Sequence, residues 1–158
     1  MAVYTEIDDD ELLRFVAEYD IGEVVACKGI AEGVENSNFL LQTERDSFIL
    51  TIYEKRVDPD DLPFFLALLD HLSARDIPCP PPIHGRDGAA LRRLAGKPAA
   101  IVTFLRGVWP KRPRAEHCAE VGAALARMHL AGLDFPHIRH NALAIDGWQQ
   151  LLEATVDR

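Results

Sequence analysis

Asn38-Phe39-Leu40-Leu41-Gln42-Thr43, Glu44-Arg45-Asp46 and Ser47-Phe48-Ile49-Leu50-Thr51-Ile52-Tyr53 decide the fold. Two apolar runs flank a polar loop of hairpin length, so they read as neighbouring antiparallel strands. Side chains alternate along a strand, which puts Phe48, Leu50 and Ile52 on one face and Ile49, Thr51 and Tyr53 on the other. A short apolar segment at 24–28 adds a third strand. Before it, Asp8 and Glu11 have the spacing of a capping box, with Ile7 and Leu12 placed as a hydrophobic staple. Leu12, Phe15, Val16 and Tyr19 then recur at helical spacing until Gly22 stops the helix.

Downstream, a second helix is predicted over 62–75. Asp61 is its N-cap, and Pro63 falls in the first turn, where a missing N–H costs nothing. Leu62, Phe65, Leu66, Leu69 and Leu72 form its apolar stripe. Pro78 and Pro80 to Pro82 impose an extended connection. Arg86-Asp87-Gly88 is a turn between two short segments, and 99–105 is a buried strand, apolar apart from Thr103. Gly107, Pro110 and Pro113 mark a linker. A third helix at 115–130 is expected to bury Cys118, Val121, Leu125 and Met128 and to end at Gly132, with irregular chain until a helical segment at 147–156. Strands and helices do not alternate strictly, so the class is α+β with an antiparallel sheet. A helix after the third strand, then a strand leading into a linker, is the ground plan of a kinase amino-terminal lobe.

Composition narrows the function. The chain has 158 residues, a length for one domain or one and a fraction, and needs no disulfide staples for a core. Its 17 Lys+Arg against 25 Asp+Glu give a net charge of −8, which argues against a general nucleic-acid binder. The charge is uneven: residues 1–76 hold 18 acids and 6 bases, residues 77–158 hold 7 acids and 11 bases. No apolar run approaches the roughly 18 residues of a membrane span. The first residues lack the basic and apolar regions of a signal peptide. Three scattered cysteines without a C-x-x-C pair lead us to expect reduced thiols in a cytoplasm.

The segment from Gly29 to Asn38 lies between two strands and is rich in small polar residues. Such a loop can offer backbone N–H groups to phosphate oxygens, or it can be a plain turn closed by Asx hydrogen bonds. Neither G-x-x-x-x-G-K-[ST] nor G-x-G-x-x-G occurs in it.

Six stretches, in order, closely resemble the bacterial homoserine kinase family of the aminoglycoside-phosphotransferase-like superfamily. They are Gly33-Val34-Glu35-Asn36-Ser37-Asn38-Phe39-Leu40-Leu41, the run from Phe48 to Arg56, Asp61 to Leu66, Pro98 to Gly107, Ala124 to His129, and Arg139-His140-Asn141-Ala142-Leu143. The resemblance covers essentially the whole chain. It implies a protein-kinase-like fold, with residues 1–105 as the amino-terminal lobe and 106–158 as hinge, linker and the start of the carboxyl-terminal lobe. It implies ATP as phosphoryl donor, Mg²⁺, and L-homoserine as acceptor in threonine biosynthesis. Gly33, Glu35, Asn36, Ser37 and Asn38 would then be the loop over the phosphates. Thr103, Phe104 and Leu105 would be the hinge at the adenine edge, and Leu41, Ile49 and Leu105 would wall the adenine slot.

Two departures stand out. The third-strand position that usually holds a phosphate-binding Lys or Arg is Thr51, and its helix Glu partner aligns near Phe65. Thr51 supplies a hydroxyl without charge, and Lys55 and Arg56 are the nearest bases, either reaching the phosphates or lying solvated. The second departure is that no H-x-D-x-x-x-x-N catalytic loop or following metal-binding Asp occurs in these residues. No catalytic or metal residue is therefore assigned, and the 158 residues alone are expected to be inactive. His137 and His140 read as a solvated loop rather than metal ligands, and Lys111, Arg112 and Arg114 as a basic linker. The competing readings are a kinase of another small alcohol (choline, methylthioribose or an aminoglycoside) and a non-catalytic nucleotide-binding module.

Overall fold

The computed structural model describes residues 3–31, 35–54, 58–141 and 144–156. Helix α1 spans Asp9–Val16, and the Asp8 carboxylate caps it by accepting from the Glu11 N–H at 3.2 Å. Only that half of the capping box forms. Glu11 Oε1 instead accepts from the Ala95 N–H at 2.7 Å, tying the helix to a distant hairpin. Leu12, Phe15, Val16 and Tyr19 are buried, as their spacing requires.

Five strands follow: β1 (Val24–Gly29), β2 (Ser37–Thr43), β3 (Ser47–Ile52), β4 (Arg92–Leu94) and β5 (Lys97–Thr103). They form one antiparallel sheet in the order β1-β2-β3-β5-β4. Strand β4 is not legible as a strand in the sequence. Its three residues carry no apolar alternation, and the hairpin forms because Ala95 and Gly96 both adopt positive φ, 50° and 71°. One face of the sheet carries Phe39, Leu41, Phe48, Leu50, Ile52, Ala99 and Ile101, which pack with the buried side chains of α1 into the core. The alternation within β3 holds, with Phe48, Leu50 and Ile52 inward and Ile49 and Thr51 outward.

Helix α2 (Leu62–Ser73) follows a 3-10 turn at Pro59–Asp61 that is capped by Asp58. Pro63 lies in the first turn as expected, but Asp61 makes no side-chain cap. Its carboxylate binds Arg139 at 2.6 Å instead. Leu62, Leu66 and Leu72 are buried, whereas Phe65 is 39% exposed beneath the Arg139 guanidinium, 5.1 Å from the ring centroid. The chain after α3 (Ala115–Ala131) runs along α2. Phe135 contacts Phe64 and His71, His71 Nε2 lies 2.9 Å from the Ala131 carbonyl oxygen, and Arg75 pairs with Asp134 at 2.5 Å.

Helix α3 departs from its expected burial. Its apolar stripe lies open, with Cys118 exposed, Val121 67% and Leu125 46% exposed, and Met128 at 36%. Among the described residues the helix meets α2 at its C-terminal end, where Met128 lines a groove with Leu68 and Leu72. Helix α4 (Ile145–Val156) begins two residues earlier than its sequence signal. No helix among the described residues is long and apolar enough to cross a membrane.

Candidate functional site

Of the candidate residues, the outer face of the sheet carries Asn38, Ile49 and Thr51. Strand register sets Lys28, Leu40, Ile49 and Val102 in one transverse row and Asn38, Thr51 and Ala100 in the next. Paired residues on antiparallel strands point to the same side. The face is therefore apolar where Leu40, Ile49 and Val102 meet and polar where Asn38 and Thr51 meet. Thr51 Oγ1 donates to Asn38 Oδ1 at 2.9 Å. That bond orients the carboxamide and leaves its amide nitrogen as a donor without a partner among the described residues. Lys28 is exposed and makes no ion pair among the described residues.

At one end of this face β5 terminates. The Thr103 N–H donates to the Pro81 carbonyl at 3.1 Å, and its hydroxyl is buried with no hydrogen-bond partner among the described residues. Phe104 and Leu105 continue beyond the strand, 42% and 51% exposed. The row of Thr103 and Phe48 lies three residues from the row of Thr51 along β3. At the usual rise that is about 10 Å, the order of length that separates a purine from the outer phosphates of a nucleotide.

Not every candidate reaches this face. Leu41 is fully buried in the core and cannot wall a slot with Ile49; its neighbour Leu40, paired with Ile49, occupies that place. Alternation separates Leu40 from Leu41, but two adjacent leucines do not show in sequence which one is outward. Ser37 is fully buried, with its hydroxyl directed away from the outer face. Asn36 Oδ1 accepts from the Glu54 N–H at 3.3 Å, and Glu35 is exposed. Gly33, Lys55 and Arg56 lie outside the described residues. Thr51 and Phe65 carry no charge, so the strand-to-helix ion pair of the wider pattern has no counterpart at these positions. Lys111, Arg112 and Arg114 are exposed, as a solvated linker would be.

One cluster was not singled out in the sequence. The Ser37 hydroxyl accepts from the backbone N–H groups of Tyr4 at 2.8 Å and Thr5 at 3.1 Å, and donates to Glu54 Oε1 at 2.7 Å. Thr5 Oγ1 donates to the same carboxylate oxygen at 2.6 Å, and Lys97 Nζ pairs with Glu54 Oε2 and also with Thr5 Oγ1 at 2.6 Å. Burial pushes the Glu54 carboxyl up, but hydrogen bonds from Lys97, Thr5 and Ser37 and the Lys97 charge outweigh it and hold it below its ordinary value. Among the described residues no group of three or more His, Cys, Asp or Glu is placed to hold a metal ion.

Comparison with known proteins identifies the fold and the family. A homoserine kinase of Rhodospirillum rubrum is 65% identical over all 158 residues, which cover 49% of that protein. One of Bradyrhizobium diazoefficiens is 61% identical over the same span, 48% of its length. The chain thus spans about half the length of the curated relatives it matches. In fold it is similar to a crystal structure of spectinomycin phosphotransferase in complex with ADP and spectinomycin. The TM-score is 0.66 at 12% identity, covering 97% of this chain and 47% of that one. Such a match means that the five-stranded antiparallel sheet with its helices is the α+β architecture found in part of that larger chain. The model of the phosphotransferase enzyme family matches residues 26–158, from the middle of β1 through α4, and it is to this family that the chain belongs.

Proposed function

We propose that the protein containing these residues transfers the terminal phosphoryl group of ATP to the hydroxyl of L-homoserine, a cytoplasmic step of threonine biosynthesis. The observation that carries this reading is the 65% identity with a homoserine kinase along the whole chain. In this reading residues 1–105 are a lobe that grips the nucleotide from above, and 106–158 are the linker and first helices of a second lobe. The uncovered stripe of α3 supports a partner lobe over a stand-alone binding module.

Phosphoryl transfer depends mainly on positioning and charge neutralisation. The base would lie on Leu40, Ile49 and Val102, with its edge against the main chain of Phe104 and Leu105. One row further along the outer face, the Asn38 amide would donate to a phosphate oxygen, held in that orientation by Thr51. Lys28, diagonal to Asn38 across β1 and β2, would supply the positive charge that Thr51 lacks. Diagonal side-chain origins lie about 7–8 Å apart, within reach of a lysine. Backbone N–H groups of the Gly33–Asn38 loop would complete the cradle. Mg²⁺ would screen the phosphates, and its ligands, like the Asp that orients the acceptor hydroxyl, are assigned to residues outside these 158. ATP consumption by the whole gene product with L-homoserine, choline, methylthioribose and an aminoglycoside tests the reading. Homoserine should give the highest kcat/KM, and a higher value with any other acceptor would overturn it.

A further inference from the structure

Glu54 stands where three separate pieces of chain converge beneath the candidate phosphate loop. Its carboxylate accepts from Ser37, the first residue of β2 and the neighbour of the outer-face Asn38, and from Thr5 in the segment preceding α1. Its second oxygen pairs with Lys97, where the β4–β5 hairpin returns into the sheet. Its backbone N–H donates to Asn36, one residue further into the loop. Ser37 in turn receives two N–H groups from Tyr4 and Thr5, so its hydroxyl oxygen is engaged on every side. The Glu54 side chain is 11% exposed, and hydrogen bonds to a charge in such a place are stronger than those between neutral groups.

We infer that Glu54 is a positioning residue for nucleotide binding: it pins the exit of the phosphate loop to the N-terminal segment and to the β4–β5 hairpin. The inference rests on the reading of 33–38 as the loop over the phosphates. Asn38 follows Ser37 directly, so the pin fixes the backbone from which the Asn38 amide is aimed. A loop anchored in this way meets the phosphates already ordered, and the ordering entropy is not charged against binding. The device also accounts for the placement of Lys97. A cation at the root of the hairpin, below the outer face, braces the loop without touching the ligand, while Lys28 stays exposed on the outer face.

The test is made in the whole gene product, with a fluorescent ADP analogue as binding probe and homoserine-dependent ADP release as the kinetic readout. Glu54→Ala should weaken probe binding about tenfold, the loss expected for bonds to a charged acceptor, and should raise the KM for ATP more than it lowers kcat. Glu54→Gln keeps the oxygen that accepts from Ser37 and Thr5, and should restore affinity to within about threefold of the parent. A Glu54→Ala protein that is folded and binds the probe as tightly as the parent overturns the inference. So does a Glu54→Gln protein that loses as much affinity as Glu54→Ala. Should Glu54→Ala fail to fold, Lys97→Met, which cuts one arm of the pin, takes its place and should weaken binding a few-fold; unchanged affinity overturns the inference. A parent protein that does not bind the probe at all marks the failure of the nucleotide reading itself.

Discussion

Replacing Thr51 with Val isolates the contact that gives the outer face its polarity. Valine has the shape of threonine and the same preference for a strand, so the sheet should be undisturbed. What is lost is one donor, the hydroxyl that binds Asn38 Oδ1 at 2.9 Å. Without it the carboxamide is no longer held with its nitrogen toward the open face. In the flipped orientation it presents an oxygen to a phosphate oxygen, which repels. The net worth of a neutral hydrogen bond is about 0.5–1.5 kcal/mol, so nucleotide affinity should fall roughly two- to twelvefold. Asn38→Asp should cost more, because it sets a negative charge against the phosphates. Titration with a fluorescent ADP analogue reads both, and a thermal melt of each variant checks that the fold is intact. Thr51→Val binding as tightly as the parent, or Asn38→Asp binding more tightly, would refute the assignment of Asn38 as a phosphate donor.

Three further outcomes follow from the same structure. Leu50 is fully buried at the centre of the sheet, so Leu50→Ala should lower stability by about 2–5 kcal/mol in urea unfolding. A loss under about 1 kcal/mol would contradict a close-packed core there. Glu54 has a depressed folded-state pKa, so its contribution to stability is present above its ordinary value of 4.5 and is lost as pH falls through the lower folded value. Denaturant midpoints should therefore drop less steeply in Glu54→Gln than in the parent as pH falls from 4.5 through that lower value. The Gly88 carbonyl, accepting from Nδ1 at 2.9 Å, and the Asp70 carboxylate at Nε2 raise His84 above 6.5. The stability from this histidine is thus complete below 6.5 and is lost as pH rises through its folded value. Proton NMR of His84 should show its pKa moving down in Asp70→Asn, and no movement would contradict the pairing.

The sequence carried the local half of this architecture. Caps, apolar stripes and strand alternation are short-range signals, and α1, β1, β2, β3, α2 and β5 all follow from them. Other features depended on contacts that no local pattern encodes. Strand β4 exists through its hairpin with β5 and the Glu11 contact, not through its own residues. Leu40 and Leu41 exchange roles according to register, which is set by pairing with β3. Phe65 looks like a core residue by spacing, yet it lies under Arg139, 74 positions along the chain by subtraction of the two residue numbers. The Glu54 cluster joins residues 17, 43 and 49 positions apart, and each of its members alone reads as an ordinary surface polar group. Lys28 likewise gains meaning only when register sets it beside Leu40 and one row from Asn38.

Transfer of label from ATP carrying radioactive phosphorus at its terminal phosphate tests the central claim most directly. The whole gene product is incubated with that ATP, Mg²⁺ and L-homoserine, and the products are separated. The account predicts label on the homoserine hydroxyl, growing with time and dependent on both substrates. Label appearing only as inorganic phosphate, or passing to another alcohol in preference to homoserine, would contradict it.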